Sequence, residues 1–287
     1  MAKFTPETKE ELKALVEDES IYLGDIDTSK ITDMSDLFFN STRTDFSGIE
    51  KWDVSSVRNM SYMFYGCHSF NQNISAWDTS SVEDMFCMFY DCKSFNQDLS
   101  SWDVSKVENM DSMFKGCRNF NQPLNDWDVS RVENMYEMFK GCTSFNQPLG
   151  DWDVSKITTM EGMFTGCHAF NQDISAWNVL SVEDMNYMFW GCENFNQDIS
   201  AWNVLSVEDM SCMFGFCTSF NQDLSSWEVG RVRNMQGMFY NCHSFNQDLS
   251  SWDMNNVKNI EGMFENCPID NSNKPSQEQS SIKRNKL

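Results

Sequence analysis

Tryptophan recurs in this chain at a fixed interval of 25 residues, and this feature constrains the fold more than any other. Stacked repeats must match their neighbours sterically, whereas independent beads on a string would tolerate linkers of variable length. No insertion or deletion interrupts the interval, so the period predicts a single repeat solenoid. The tryptophans that set the register are Trp52, Trp77, Trp102, Trp127, Trp152, Trp177, Trp202, Trp227 and Trp252.

The boundaries of the repeated region follow from the same register. A degenerate first repeat occupies residues 26–51, and a truncated last repeat ends near Cys267, which gives about ten repeats. We therefore predict an N-terminal capping segment over residues 1–25 and a solenoid over residues 26–267. The polar residues 268–287 are predicted to form a disordered tail.

Within one repeat, the apolar residues from Val57 to Cys67 recur at helical spacing and predict a helix of about ten residues. Pairs such as Ser80 and Glu83 fit a reciprocal capping box at its start. Gly66 and its equivalents favour a left-handed residue after its end. Each repeat is thus predicted to contain one short helix with a single buried face.

The other half of the repeat predicts a short strand. Ile74, Trp77 and Thr79, with their equivalents, follow the leucine-rich-repeat spacing L-x-x-L-x-L, in which inward and outward residues alternate. We expect these strands to pair in parallel along the solenoid, with roughly 5 Å between repeats. The predicted fold is a right-handed solenoid of leucine-rich-like coils. Ahead of it, residues 7–18 fit an amphipathic helix with Leu12, Leu15 and Val16 on its apolar face, which predicts an N-terminal lid.

The composition excludes several classes of protein. The formal net charge of −22 disfavours sequence-independent nucleic-acid binding, which needs clustered Lys and Arg. The sequence contains no run of 18 apolar residues, which membrane insertion would require, and the acidic first twenty residues do not fit a signal peptide. These observations favour a cytoplasmic or virion-associated location over export.

The motifs Trp-Asp-Val-Ser, Asn-Met-x-x-Met-Phe, Gly-Cys and Phe-Asn-Gln-x-Leu recur in register over about residues 7–267. With them the chain resembles the BspA-like leucine-rich-repeat surface proteins, and more narrowly their 25-residue subclass, first described as a mycoplasma domain of unknown function. Relatives are known as surface lipoproteins and adhesins, and similar repeats occur in some large DNA viruses. The resemblance implies a non-enzymatic interaction protein without naming its ligand.

The recurring polar and sulfur-containing residues predict no catalytic site. Nine of the eleven Cys lie fifteen residues after a Trp, and we interpret them as buried free thiols rather than zinc ligands or disulfides. The Asn-Gln pairs, from Asn71 onwards, are interpreted as a structural amide ladder. The three His occupy one position in distant repeats and cannot share a site. We predict neither enzymatic activity nor a cofactor.

Two rows of acidic residues offer one alternative function. One row follows the tryptophans, at Asp53, Asp78, Asp103, Asp128 and Asp153, and the other follows the Asn-Gln pairs. Stacked carboxylates repel one another, and the repulsion could be relieved by Ca²⁺ or by hydrogen bonds from nearby amides. Capping of the local backbone is the preferred interpretation. A calcium-dependent surface adhesin is the alternative.

Aromatic residues at positions that should face solvent give the main functional prediction. Solvated helix positions usually hold Lys, Glu or Gln, whereas exposed aromatics are enriched in interaction hot spots. We therefore predict a scaffold that binds a protein partner or forms a homodimer. The alternative is that these rings lie flat and shield the next repeat. The predicted binding residues are Tyr62, Tyr65, Phe86, Tyr90, Tyr136, Tyr187, Trp190 and Tyr240.

Overall fold

The computed structural model describes residues 3–276. Its α-helix, α1, spans Lys9–Glu17, and 3-10 helices span Leu23–Asp25, Ile49–Lys51 and Asn271–Asn273. The rest of the described chain consists of turns and of isolated parallel bridges between successive repeats. The molecule is a tandem-repeat protein with little regular secondary structure. None of the helices in this part of the chain is long and apolar enough to cross a membrane.

The helix predicted within residues 57–67 is absent, and successive β-turns take its place. The Met63 amide donates to the Met60 carbonyl at 3.2 Å, a bond that spans three residues rather than the four of an α-helix. The third residue of this turn, Tyr62, has a φ of 57°, and Gly66 in a later turn has a φ of 72°. A left-handed residue interrupts helical backbone, so the helix prediction was wrong and the serine–glutamate pairs cap no helix.

Neighbouring repeats pair through this turn segment, residues 59–66 and its equivalents, which we call the ladder segment. Alternate amides donate to carbonyls of the next repeat: Met60 to Asp84 at 2.9 Å and Phe64 to Met88 at 2.9 Å. The predicted Trp-x-Val strands form no bridge anywhere in residues 3–276. The strand prediction therefore placed the inter-repeat pairing in the wrong part of the repeat.

The side chains predicted to point inwards form the core. Phe64 lies 5.6 Å from Phe89, ring centre to ring centre, with the rings stacked. The same column continues through the other repeats at 5.5–5.8 Å. This spacing agrees with the predicted 5 Å because backbone hydrogen bonds set the distance between repeats. The fully buried columns are represented in one repeat by Val82, Met85, Met88, Phe89, Cys92, Phe95 and Leu99, beside the nearly buried Trp77.

Buried donors on the core columns bind the preceding repeat. Trp152 Nε1 donates to the Leu124 carbonyl at 2.8 Å, and each of the nine register tryptophans makes the equivalent bond. The Cys142 thiol donates to the Phe114 carbonyl at 3.0 Å. These bonds satisfy polar atoms that would otherwise be unpaired inside an apolar core.

The Asn-Gln pairs form the predicted amide ladder. Asn146 Oδ1 accepts the Asn171 backbone amide at 2.9 Å and Gln172 Nε2 at 2.9 Å. The same pair of bonds recurs at seven junctions, from Asn71 towards the C-terminus. The structural interpretation of this motif is confirmed.

Helix α1 covers the N-terminal end of the stack. Leu12 and Val16 are buried in the core cluster, and Leu15 packs against it. The buried guanidinium of Arg43 donates to the carbonyls of Val16 at 3.3 Å and Asp18 at 2.9 Å. Arg43 thus satisfies carbonyls at the C-terminal end of α1, where a positive charge is also favourable.

The tail predicted to be disordered over residues 268–287 is ordered as far as the structure describes it. Ile269 is buried, and the Asn273 carbonyl accepts the Leu249 amide at 2.8 Å. The prediction was wrong for residues 268–276, because a few apolar residues anchor a segment whose average composition is polar. The remainder of that range lies outside the described residues.

Candidate interaction surface

The eight aromatic residues predicted to bind a partner all lie on ladder segments, on turns rather than on a helix. Tyr62 and Tyr187 occupy the left-handed third position of a turn, at φ 57° and 54°. Tyr187 is 43% exposed, and the other seven residues are partly buried. The eight residues therefore differ in exposure, and they also differ in the aromatic rings that they contact.

A first aromatic cluster comprises Phe39, Tyr62, Tyr65, Phe86 and Tyr90. The Tyr65 ring stacks between Phe39 at 4.7 Å and Tyr90 at 4.4 Å, and Tyr62 meets Phe86 edge-on at 5.0 Å. The four predicted residues of this group, Tyr62, Tyr65, Phe86 and Tyr90, therefore lie side by side. Phe39 is exposed, but the other four rings are partly buried and contact one another, which favours a largely structural role for those four.

The ladder segments of the two repeats that follow Tyr90 bring together three charged residues, Lys115, Glu137 and Lys140. Glu137 is buried and accepts hydrogen bonds from both lysines, from Lys140 at 2.5 Å. Burial alone would raise the pKa of Glu137, but these bonds and charges outweigh it and lower that pKa. The Lys115 ammonium also lies 5.1 Å from the centre of the Tyr90 ring. This ion triad ends the first aromatic cluster.

Tyr136 lies between the two aromatic groups and belongs to neither. Its ring makes no aromatic contact with any other side chain of residues 3–276. Burial raises the pKa of its hydroxyl. The prediction that Tyr136 forms part of a shared surface gains no support from its position.

A second aromatic cluster comprises Tyr187, Trp190, Phe216 and Tyr240. The Trp190 ring lies 5.4 Å from Tyr187, 4.9 Å from Phe216 and 6.2 Å from Tyr240. Phe216 is 37% exposed and meets Tyr240 at 5.3 Å. This cluster spans three repeats and contains two exposed rings, Tyr187 and Phe216, whereas the first cluster contains one, Phe39, which is 45% exposed.

Local sequence creates room for the second cluster. Trp190 covers Gly215, where an added Cβ would come within 2.2 Å of the indole ring. Gly215 stands where Tyr65 and Tyr90 stand in other repeats. A side chain at this position would push the indole away, so Gly215 allows Trp190 to lie across the next repeat.

Phe216 adopts a backbone conformation that phenylalanine rarely takes. Its φ is 59°, and its position is left-handed in all ten repeats. Elsewhere that position holds Gly, Asn or Asp, which tolerate this region best. This departure is visible in the sequence, because Phe216 stands at the position of Gly66. The prediction of a helix nevertheless left Phe216 out of the predicted binding residues. Phe39 was missed because the degenerate first repeat shifts its register.

The acidic rows bond to their own backbone. Asp53 Oδ1 accepts the Ser55 amide at 3.0 Å and its hydroxyl at 2.7 Å. At Asp78, hydrogen bonds from the Ser80 side chain and backbone amide lower the pKa of the carboxyl. Each is an Asx-type turn, the backbone capping preferred from the sequence. The other predicted members of the row make the same contact to the residue two positions on, at Asp78, Asp103, Asp128 and Asp153.

The sulfur and imidazole groups show no metal-binding arrangement. All eleven cysteines are free, and burial raises the pKa of the Cys87 thiol to about 12. The described residues contain no group of three or more His, Cys, Asp or Glu side chains placed to hold a metal ion. The thiols pack as small core residues.

Comparison with known families places the chain. A sequence profile described as "Mycoplasma protein of unknown function, DUF285" matches residues 10–117, 98–189 and 172–277. The chain belongs to this family. No curated protein matches it significantly. The three overlapping matches agree with tandem repeats along nearly the whole DUF285 chain, and the family description assigns no activity.

Proposed function

We propose that this DUF285 chain is a non-enzymatic protein-interaction scaffold that binds through the second aromatic cluster. The observation that carries the proposal is Phe216, an exposed ring at a left-handed backbone position. Such a conformation costs roughly 1–2 kcal/mol relative to ordinary backbone. A strained, exposed aromatic beside Trp190 and Tyr187 is typical of a binding hot spot, where Trp and Tyr predominate.

The finer architecture and ancestry are part of the same proposal. We infer a right-handed solenoid of leucine-rich-like repeats related to the BspA-like surface proteins. Support comes from ten repeats joined by backbone hydrogen bonds at a constant interval. A rigid stack of this kind presents side chains at fixed spacing, which suits a binding scaffold.

Replacement of Phe216 by Gly tests the role of the strained ring. We expect the free energy of unfolding to stay within about 1 kcal/mol of wild type, because relief of strain offsets the lost ring contacts. Self-association or partner binding should weaken at least tenfold. Sedimentation velocity over a wide concentration range measures the association, and urea unfolding measures the stability.

The matched control is Asn241→Gly, at the same position one repeat later. It removes no ring and should leave both measurements near wild type. A Phe216→Gly protein that is several kcal/mol less stable but associates normally would assign the ring to packing. A wild-type chain that stays monomeric throughout would contradict self-assembly, and the same pair of variants would then be compared by cross-linking to a protein partner.

The alternative function, a calcium-dependent adhesin, predicts a specific response to Ca²⁺. Because each acidic side chain described above already caps its own turn, we expect Ca²⁺ and Mg²⁺ at equal concentration to raise Tm equally, through screening of the negative charge. Thermal unfolding in each salt is the measurement. A larger shift with Ca²⁺ alone would favour the adhesin and the acidic rows over the aromatic surface.

A further inference from the structure

The two ends of the repeat stack differ. At the N-terminal end α1 covers the core, but at the C-terminal end Ile260 and Phe264 are only partly buried. Their equivalents one repeat earlier, Met235 and Phe239, are fully buried. A cavity of about 370 Å³ opens beside Phe264, between the last repeat and Lys274. Repeat stacks need covered ends, and within residues 3–276 this apolar end is covered only in part, by the Lys274 ammonium 5.9 Å from the centre of the Phe264 ring.

The backbone at the same end is also unpaired. Four alternate amides of the last ladder segment have no acceptor among residues 3–276. In the repeat before, the equivalent amides donate to the last repeat at 2.8–2.9 Å. Four aligned donors beside exposed core side chains form an edge that can accept another chain segment. The unpaired amides belong to Ile260, Gly262, Phe264 and Asn266.

The structure itself shows what such an edge accepts. At all nine junctions between repeats, a parallel ladder segment supplies carbonyls to amides equivalent to those of Gly262, Phe264 and Asn266. Its Met and Phe side chains cover the columns that Ile260 and Phe264 leave open. The matching occupant is therefore another ladder segment, with carbonyls at alternate residues.

A second folded copy of this chain does not fit. Its C-terminal end presents the same four donors, so two such ends offer each other no acceptors in this segment. Its N-terminal end is covered by α1, with Leu12 and Val16 in the core. We propose that the open end binds a repeat segment of the same sequence pattern from a different polypeptide, one whose own first repeat lacks a covering helix. This docking uses the end of the stack and is independent of the aromatic clusters.

Hydrogen exchange of the full chain tests the proposal, with a synthetic 25-residue peptide of residues 227–251 as the probe. In the free chain the amides of residues 260, 262, 264 and 266 should exchange fast, while those of residues 235, 237, 239 and 241 stay protected. Saturating peptide should slow exchange of the first set at least tenfold. A control peptide carrying Met235→Asp and Met238→Asp keeps the carbonyls but cannot bury its side chains, and should give no protection.

Three results would overturn the proposal. The amides of the last ladder segment could be protected in the free chain, which would mean that its own C-terminal residues or a second copy already cover them. The repeat peptide could fail to protect them. Both peptides could protect them equally, which would show that the repeat pattern is not recognised. Variants of the aromatic clusters should leave peptide protection unchanged, which separates this test from that of the proposed function.

Discussion

Replacement of Trp152 by Ala is expected to lower the free energy of unfolding by about 4 kcal/mol. The indole is 3% exposed, and its Nε1 donates to the Leu124 carbonyl at 2.8 Å. Ala would leave a cavity between two repeats and would remove one of the two hydrogen bonds that the Leu124 carbonyl accepts, the other coming from the Trp127 amide at 3.1 Å. Because neighbouring repeats bury each other's core, the defect should weaken both adjoining junctions. Urea unfolding followed by far-UV circular dichroism measures the loss.

Two further variants separate the contribution of the indole hydrogen bond from that of side-chain burial. Trp152→Phe keeps most of the ring volume but loses the donor, so it should cost about 1–2 kcal/mol. Tyr187→Ala removes an exposed ring and should change stability by about 0.5 kcal/mol or less. If Trp152→Ala cost no more than Tyr187→Ala, the register tryptophans would not be the main link between repeats.

The burial pattern could be predicted from the sequence, but the backbone conformation could not. Met60, Met63 and Phe64 recur at intervals of three and four residues, which fits one face of a helix. Successive three-residue turns give the same intervals, so the same side chains point inwards in both conformations. Apolar spacing alone cannot separate a helix from a series of turns.

The residues that distinguish these conformations are small or polar. Gly162 and Gly237 occupy the left-handed third position of their turns, at φ 60° and 58°. Asn59 and its equivalents accept the amide two residues on, from Ser61 at 2.8 Å in this repeat. Glycine inside a predicted helix and Asx before it are turn signals. These signals could have corrected the helix prediction.

The surface was harder to predict than the core because it does not repeat. The first and second aromatic clusters use the same positions of the repeat but differ in exposure. The difference arises from single departures, Gly215 under Trp190 and Phe216 beside it. A repeat register identifies outward positions, but contacts between neighbouring repeats decide which rings remain accessible.

Asp111→Asn is expected to raise the free energy of unfolding by about 2 kcal/mol at pH 7.5. Burial raises the pKa of Asp111 to about 6, against an unfolded value near 3.9. One carboxylate oxygen is buried without a partner, and the other accepts Asn134 Nδ2 at 2.8 Å. A shift of two pH units corresponds to about 3 kcal/mol, reduced here because Asp111 is partly accessible.

The backbone around Asp111 is also disturbed. Eight of the nine junctions have the amide bond that Met60 makes to Asp84, but Met110 does not donate to Asn134. The parallel bridge between Asn109 and Asn134 is likewise missing from the otherwise continuous series. A buried carboxylate at this junction thus coincides with a break in the ladder, and a neutral amide should let the two repeats approach.

The raised pKa of Asp111 determines how the effect of Asp111→Asn on stability depends on pH. The folded state holds the Asp111 proton more tightly, so this group destabilises the fold when ionised in both states, above about pH 6. Between pH 6 and pH 4 protonation relieves the cost, and below about pH 4 the carboxyl is neutral in both states. The stability difference between Asp111→Asn and wild type should therefore fall from about 2 kcal/mol at pH 7.5 to near zero at pH 3.5.

Urea unfolding of both proteins across this range measures the stability difference. The titration of the other carboxylates cancels in that difference because both proteins contain them. A difference independent of pH would show that the amide acts through packing, and a less stable Asp111→Asn at pH 7.5 would show that the ionised carboxylate is stabilised where it lies.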